Sequence, residues 1–412
     1  MHLLGIMHQE RLSKFFDSIF EKYYNRKPIF KDRRVLTDSF IPETILHREK
    51  QIEDIVSILA PALRAQKPSN IFLYGKTGTG KTLTAKYISK HLANAAIKHN
   101  IPLQIIYINC KMKKVSDTEY RAIYNILKEL GCNVSLGLPL DDLYKKLFDT
   151  LDKKEKLFIF ILDEIDYLIK KAGDTILYNF VRINSELNSS QVSIIGISNS
   201  LTFIDNLDPR IKSSLSSEEI LFPPYNAYEL IDILKQRAKL AFYDGVIEEG
   251  VIEKIAAIAA REHGDARRAL DLLRLAGEIA EREGSDKVKI SHVDAAIKKL
   301  EIDKIVEIGK TLPRQAQIIL YAIIKLHKEG VKKIYTGDFY NYYCDLCNKI
   351  GYPPLSQRRV SEIISELDML DIINARIVNR GKYGRTREIS LAISEKTLNK
   401  LFEIFKRIFE NE

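Results

Sequence analysis

The stretch GKTGTGKT at residues 75–82 stands between a short apolar run, IFLY at 71–74, and a helical stretch from about residue 81 to 90. A glycine-rich turn in that setting points successive backbone N–H groups and a helix N-terminus at one spot, which makes a ready phosphate cradle. Lys81 then reaches the β- and γ-phosphates, and the Thr82 hydroxyl is placed to ligate Mg2+. A chance match in an ordinary flexible turn would not bring a strand before it and a helix after it.

The second half of such a site lies downstream. LFIFIL at 157–162 is a continuous apolar run, the pattern of a strand buried on both faces, and it ends in Asp163-Glu164. Beside a nucleotide the two carboxylates have distinct jobs. Asp163 holds the metal ion through water, while Glu164 orients and polarises the attacking water. The competing reading is a polar strand end that caps the next helix. A third strand, VSIIGI at 192–197, runs into SNS at 198–200 and places Asn199, a neutral polar side chain, where the γ-phosphate or lytic water lies. With IIYI at 105–108 and EILF at 219–222 there are five strands separated by helical stretches. That pattern predicts an α/β fold with a doubly wound parallel sheet, whose nucleotide sites lie at the carboxyl ends of the strands.

The bulk composition is that of a soluble globular chain. Its 412 residues suffice for two or three domains with their own cores, and 45% are hydrophobic against 29% charged. No stretch approaches the roughly 20 uninterrupted apolar residues of a membrane span. The start, MHLLGIMHQERL, lacks the basic and long apolar regions of a signal peptide, so nothing argues for export and a cytoplasmic location is expected, with nucleoid association if the anionic partner considered below is DNA. Four cysteines, Cys110, Cys132, Cys344 and Cys347, fit a reducing interior. Cys344-Asp-Leu-Cys347 has metal-ligand spacing, but no second Cys or His pair follows, which favours two half-buried helix positions over zinc.

Net charge is informative once located. Residues 304–412 carry 19 Lys and Arg against 13 Asp and Glu, so six of the nine net positive charges lie in the last quarter of the chain. Such a concentration points to an anionic partner, nucleic acid first, against a merely solvated basic surface.

Four regions follow: an N-terminal extension at 1–30, a nucleotide-binding domain at 31–222, a helical lid at 223–303 and a DNA-binding domain at 304–412. The extension includes an amphipathic stretch at 8–24 with Leu12, Phe15, Phe16, Ile19, Phe20 and Tyr23 at helical spacing. Between the second and third strands, residues 111–156 hold two helical stretches where a crossover needs one, leaving a helix available for another task. After Pro223-Pro224 the pattern is wholly helical, with a candidate capping box at Ser291 and Asp294. Here GDARRAL at 264–270 starts a helix with two arginines in its first turn. Cations are unfavourable at that end, so either an anion lies nearby or the face is simply exposed.

In the last region, helices near 313–328, 336–350 and 356–370 precede two β-like runs at 372–378 and 388–393 and a final helix from Ser394. Three helices and a hairpin make a winged helix, whose third helix can enter the DNA major groove. Val360, Ile363, Ile364, Leu367 and Leu370 would face the core, leaving Gln357, Arg358, Arg359 and Ser361 outward. The hairpin loop, NRGKYGRTR at 379–387, brings Arg380, Lys382, Arg385 and Arg387 together with Tyr383 and two glycines. That composition suits phosphate contact and minor-groove insertion.

Taken in order, GKTGTGKT, FILDEID, GISNS, LDPRIKSSL, FPPYNAYEL and GDARRALDLLRLAGEIAE resemble an archaeal replication initiator of the origin recognition complex/cell-division-control type, a AAA+ ATPase joined to a winged helix. The resemblance covers about residues 30–400. It implies ATP/ADP and Mg2+ as cofactors and makes Gly78, Thr79, Gly80, Lys81 and Thr82 the phosphate loop. Asp163 and Glu164 become the Walker B pair, Asn199 the first sensor and Arg267 the second. Tyr225 and Arg237 resemble nucleotide-contacting lid residues, and Arg210 sits where an arginine acts in trans on a neighbouring subunit. The 111–156 segment resembles the family's initiator-specific DNA-contacting element. The implied function is nucleotide-controlled binding of double-stranded DNA at replication origins and recruitment of the replicative helicase, with other initiator subunits as partners and slow, switch-like hydrolysis. Two alternatives stay open: a clamp-loader- or helicase-loader-like protein without site preference, and a DNA-binding ATPase regulator or antagonistic initiator paralogue.

Overall fold

The computed structural model describes residues 20, 21, 24, 26–111, 118–135, 137–202, 207–215, 217–331, 333–379 and 385–410. Most of the amphipathic stretch at 8–24 lies outside them. The chain divides into two compact units, with the boundary between Val293 and Asp294.

The first unit is built on a parallel sheet. In chain order it contains α1 (Glu49–Leu59), β1 (Asn70–Tyr74), α2 (Lys81–Lys98), β2 (Leu103–Asn109), α3 (Glu119–Glu129), α4 (Leu140–Asp152), β3 (Leu157–Asp163), α5 (Ile165–Ala172), α6 (Thr175–Glu186), β4 (Gln191–Ser198), α7 (Pro209–Leu215) and β5 (Ser217–Leu221). The strand order is β2-β3-β4-β1-β5, every pair parallel. β3 lies inside the sheet, and all seven of its residues are buried.

Alternation along β3 explains why its sequence is apolar from Leu157 to Leu162. Phe158, Phe160 and Leu162 pack into a core with α3, α4, α5 and α6, and Phe160 meets Phe180 edge-on at 6.0 Å. Leu157, Ile159 and Ile161 enter the opposite core with α1 and α2. Both helices of the 111–156 segment contribute to the first of these cores. Ala122, Ile123, Ile126 and Leu127 of α3, and Leu143, Tyr144, Leu147 and Leu151 of α4, are buried in the first of these cores.

The lid helices follow: α8 (Ala227–Ala241), α9 (Val251–Arg261), α10 (Ala266–Glu283) and α11 (Ile290–Thr311). A reciprocal cap starts α8, with the Asn226 side chain accepting from the Glu229 N–H and the Glu229 carboxylate accepting from the Asn226 N–H. Ser291 and Asp294, expected as a capping box, both lie inside the helix rather than at its start. α11 already begins at Ile290, and the Lys289 N–H is taken by His292 Nδ1 at 2.9 Å.

The second unit contains α12 (Arg314–Lys328), β6 (Ile334–Tyr335), α13 (Thr336–Lys349), α14 (Gln357–Met369), β7 (Ile373–Asn379), β8 (Arg385–Leu391) and α15 (Glu395–Phe409). The three strands form an antiparallel sheet in the order β6-β8-β7. α12 is buried from Ala316 through Ile324, and the Tyr321 ring packs against Phe402, Phe405 and Phe409 of α15. Cys347 is buried in this core and Cys344 packs against it. On α14, Val360, Ile363, Ile364 and Leu367 face inward as the spacing predicts. Leu370 does not: it ends the helix as its C-cap and is 41% exposed. No described helix is long and apolar enough to cross a membrane.

Candidate functional site

Parallel register brings the chemistry to one edge of the sheet. Asn109 pairs with Asp163, Asp163 with Ile197, and Tyr74 with Ser198, so the loop after β1 and the polar residues ending β3 and β4 emerge together. A cleft of about 300 Å³ opens there. Its walls include Gly78, Thr79, Gly80, Lys81, Thr82, Asp163, Glu164, Asn199, Tyr225, Arg237 and Arg267, all expected from the sequence to act together.

Two glycines are required by the geometry. Gly78 has φ +70°, and a Cβ there would fall 1.7 Å from Asp265 Oδ1, because the N-terminus of α10 abuts the loop and Ala266 N donates to Gly78 O at 3.1 Å. Gly80 has φ +94° and caps α2, with the Tyr225 hydroxyl 2.8 Å from where a Cβ would stand. The loop is thus in direct contact with the lid.

Lys81 is buried and donates from Nζ to Gly75 O at 2.8 Å and Lys76 O at 2.7 Å. Burial lowers its pKa to about 8 against the opposing pull of Asp163 and Asp166. Thr82 Oγ1 donates to the Asp163 carboxylate, 3.0 and 3.1 Å from its two oxygens. A hydroxyl beside a carboxylate is a hard-oxygen pair of the kind Mg2+ accepts, since that ion takes one or two protein oxygens and completes its shell with phosphate and water. These residues fit the metal.

Glu164 has φ +54°, a left-handed conformation uncommon for a residue with a side chain. Such strain collects at functional sites, and here it falls on the residue that follows β3 and precedes α5. Its Oε2 lies 3.0 Å from Lys111 Nζ, a cation that also lines the cleft. Asp166 accepts from the Asn199 backbone N–H, and burial raises its carboxyl above the ordinary range.

On the lid side the two arginines of α10 part company. Arg267 faces the cleft, with Nε 3.0 Å from Asp38 Oδ2, whereas Arg268 turns to Glu262 at 3.0 Å. Burial raises the Asp38 carboxyl in spite of the arginine beside it. Arg237 is buried, donates to Val35 O at 3.1 Å and lies 4.7 Å over the Phe40 ring, and burial lowers it to about 10. Arg210 does not line this cleft; it is on α7 with Nε 3.6 Å from Asp208.

Sequence reasoning assigned no role to three residues the structure brings in. Arg48 is 2% exposed and donates to Thr79 O, His47 O and Pro223 O at 2.9, 2.7 and 2.7 Å, with its guanidinium 3.7 Å from the Tyr225 ring. It ties the phosphate loop to the start of the lid. Tyr107 donates to Asp163 Oδ2 at 2.6 Å, and Lys111 pairs with Glu164. None of the three has a local motif. An arginine just ahead of α1, a tyrosine within an apolar strand and the basic start of the 111–156 segment were the visible signals.

In the second unit Gln357, Arg358 and Arg359 stand exposed at the N-terminal end of α14. Arg358 pairs with Glu362 at 3.3 Å, and Arg359 with Glu362 and Glu366 at 2.8 and 3.6 Å. Arg380, Lys382 and Tyr383 lie outside the described residues, and Arg385 opens β8. Arg387 departs from the expected solvent-facing loop position. It belongs to β8, and its Nη1 donates to Ser361 O at 3.2 Å and Ser365 Oγ at 2.6 Å, fastening the hairpin to α14.

Residues 71–224 match the ATPase family associated with various cellular activities (AAA), residues 231–298 the Cdc6 AAA+ ATPase-type lid domain, and residues 307–400 the CDC6 C-terminal winged helix domain. The ORC1-type DNA replication protein of Thermococcus onnurineus is 53% identical over 393 residues, 94% of each chain. The chain belongs to the ORC1-type DNA replication protein family. Within that family the protein of the same description from Pyrococcus abyssi is 51% identical over 391 residues, 94% of this chain and 93% of the relative. The solved structure of the Aeropyrum pernix ORC1 protein in complex with DNA is 44% identical and covers 93% of this chain and 98% of its own, with a TM-score of 0.77. Pyrobaculum aerophilum Cdc6p shares the fold at 23% identity and a TM-score of 0.59, with 93% of this chain and 99% of that one covered. The family makes this a AAA-type ATPase with a lid and a C-terminal winged helix.

Proposed function

We propose that this replication protein is a slow, ATP-controlled switch that binds duplex DNA at replication origins and helps to recruit the replicative helicase. The observation that carries the DNA reading is the 44% identity, across nearly the whole chain, to an ORC1 protein solved in complex with DNA. The outward face of α14 supports it, since Gln357, Arg358 and Arg359 are free of the core and suited to base edges. The wing cations Arg380, Lys382 and Arg385, with Tyr383, would contact phosphates and the minor groove. The region at 304–412 is then the DNA-binding domain, 223–303 the lid and 31–222 the nucleotide domain.

ATP and ADP bind the cleft, with Lys81 neutralising phosphate charge. Thr82 and Asp163 would hold Mg2+, which would supply charge neutralisation for the phosphates. Glu164 orients the attacking water, Asn199 and Arg267 sense the γ-phosphate, and Tyr225 and Arg237 contribute from the lid. Direct bonding of Ala266 to Gly78, and of Arg48 to both Thr79 and Pro223, supports the switch reading, because a phosphate that moves the loop must move the lid. Arg210, away from its own cleft, is suited to serve the cleft of another initiator subunit. A nucleoid location follows from the DNA partner.

Mapping of genomic binding sites in cells tests the reading. Clustering at replication origins is the expected result, and binding spread evenly over the genome would remove the initiator role.

A further inference from the structure

The deep wall of the cleft holds a polar contact that the nucleotide motifs do not require. Tyr107 of β2 donates to Asp163 Oδ2 at 2.6 Å. A carboxylate only accepts, so the phenol is the donor, and the length is that of a charge-assisted bond. Asp163 is 3% exposed, which leaves little water to compete. Its carboxylate also accepts the one proton of the Thr82 hydroxyl, and this turns the threonine lone pairs away from Asp163.

Register and helix spacing explain how these groups meet. Asn109 lies opposite Asp163 in the sheet, so Tyr107, two residues earlier, is diagonal to Asp163 on the same face. Lys86 follows Thr82 by four residues on α2 and therefore shares its side of the helix. Its ammonium stands 4.2 Å from the centre of the Tyr107 ring, within cation–π range. Contacts thus run from Thr82 through Asp163 and Tyr107 to Lys86 across three elements.

We propose that Tyr107 is a positioning residue for nucleotide-bound Mg2+: its hydroxyl pins one oxygen of Asp163 and thereby fixes how the carboxylate presents its remaining lone pairs to the metal's water shell, while Lys86 holds the ring in place. This rests on the reading of the cleft as a Mg2+–nucleotide site. Groups that orient metal ligands typically change metal affinity by roughly 10–100-fold when removed.

The test is Tyr107→Phe in the full chain, which deletes the hydroxyl and keeps the ring over which Lys86 sits. Affinity for a fluorescent ATP analogue is measured in EDTA and across a Mg2+ titration. The expected result is unchanged affinity in EDTA and a Mg2+ midpoint raised roughly tenfold. A titration that superimposes on that of the wild type overturns the role. Wild-type affinity that ignores Mg2+ altogether removes the metal reading itself, and Tyr107's role with it. If Tyr107→Phe lowers the melting transition, Lys86→Met is the second variant. It keeps the hydroxyl but frees the ring, and its midpoint, taken relative to its own EDTA affinity, should rise roughly twofold. No rise in that variant would overturn the role.

Discussion

Nucleotide affinity should fall as the pH is raised from about 7 to about 9, because Lys81 loses its proton in the free chain across that window. Burial lowers the Lys81 ammonium to about 8, although Asp163 and Asp166 pull in the other direction. Its two hydrogen bonds end on the carbonyls of Gly75 and Lys76, which accept N–H but bring no neutralising charge. Bound phosphates favour the ammonium, so the pKa of Lys81 is higher in the complex than in the free chain. Binding is therefore strongest below the free-chain value, and it weakens as the pH rises through about 8, where each binding event must take up a proton. One unit above its pKa roughly a tenth of the lysine remains charged, which reduces affinity about tenfold, or about 1.4 kcal/mol. The terminal phosphate, with a pKa of about 6, is already ionised throughout and adds nothing in this window. Calorimetry at about pH 9 in two buffers of different ionisation enthalpy reads the proton directly. Wild-type chain should take up close to one proton per nucleotide, and Lys81→Arg, whose guanidinium stays charged, should take up none. Equal affinity at about pH 7 and 9, without proton uptake by the wild type, would refute the reasoning.

Glu164→Gln should keep ATP but stop its hydrolysis, whereas Lys81→Ala should lose ATP; hydrolysis by Glu164→Gln at the wild-type rate, read by phosphate release, would end the water-orienting role. Arg267→Ala should reduce hydrolysis or ATP/ADP discrimination without unfolding the chain, and an unaltered nucleotide response in a variant folded by circular dichroism would exclude its sensor role. Salt-titrated binding to origin and scrambled duplexes should show Arg380→Ala/Arg385→Ala flattening the log–log slope by roughly two units. Arg358→Ala/Arg359→Ala should instead cost about 1–3 kcal/mol of sequence discrimination for each base edge that either arginine reads. Unchanged affinity and slope in both double variants would move the DNA surface elsewhere.

Local sequence carried the nucleotide loop because its function is a backbone conformation. Gly78 and Gly80 occupy left-handed φ values that other residues resist, and that need is written within eight consecutive residues. The buried strands were equally legible, since a strand covered on both faces reads as a continuous apolar run, as β3 does from Leu157 to Leu162 before it ends in Asp163. The helix starts were less so. Asn226-Glu229 and Ser291-Asp294 both carry cap-forming side chains, and only the fold decided that α8 uses the first while α11 starts ahead of the second.

What tertiary structure alone decided are the partners of charged and hydroxyl groups. Tyr107 meets Asp163 because β2 pairs with β3 in one register, and two residues 56 positions apart carry no trace of that pairing in the sequence. Arg387, expected in the wing loop with the other cations, lies in β8, where the hairpin register turns it onto Ser361 and Ser365 of α14. Arg48 is buried against three carbonyls and an aromatic ring drawn from the phosphate loop, its own turn and the start of the lid. Composition and periodicity determine which residues leave water. A long polar side chain can reach in many directions, and the strand order and helix packing around it select the one it takes.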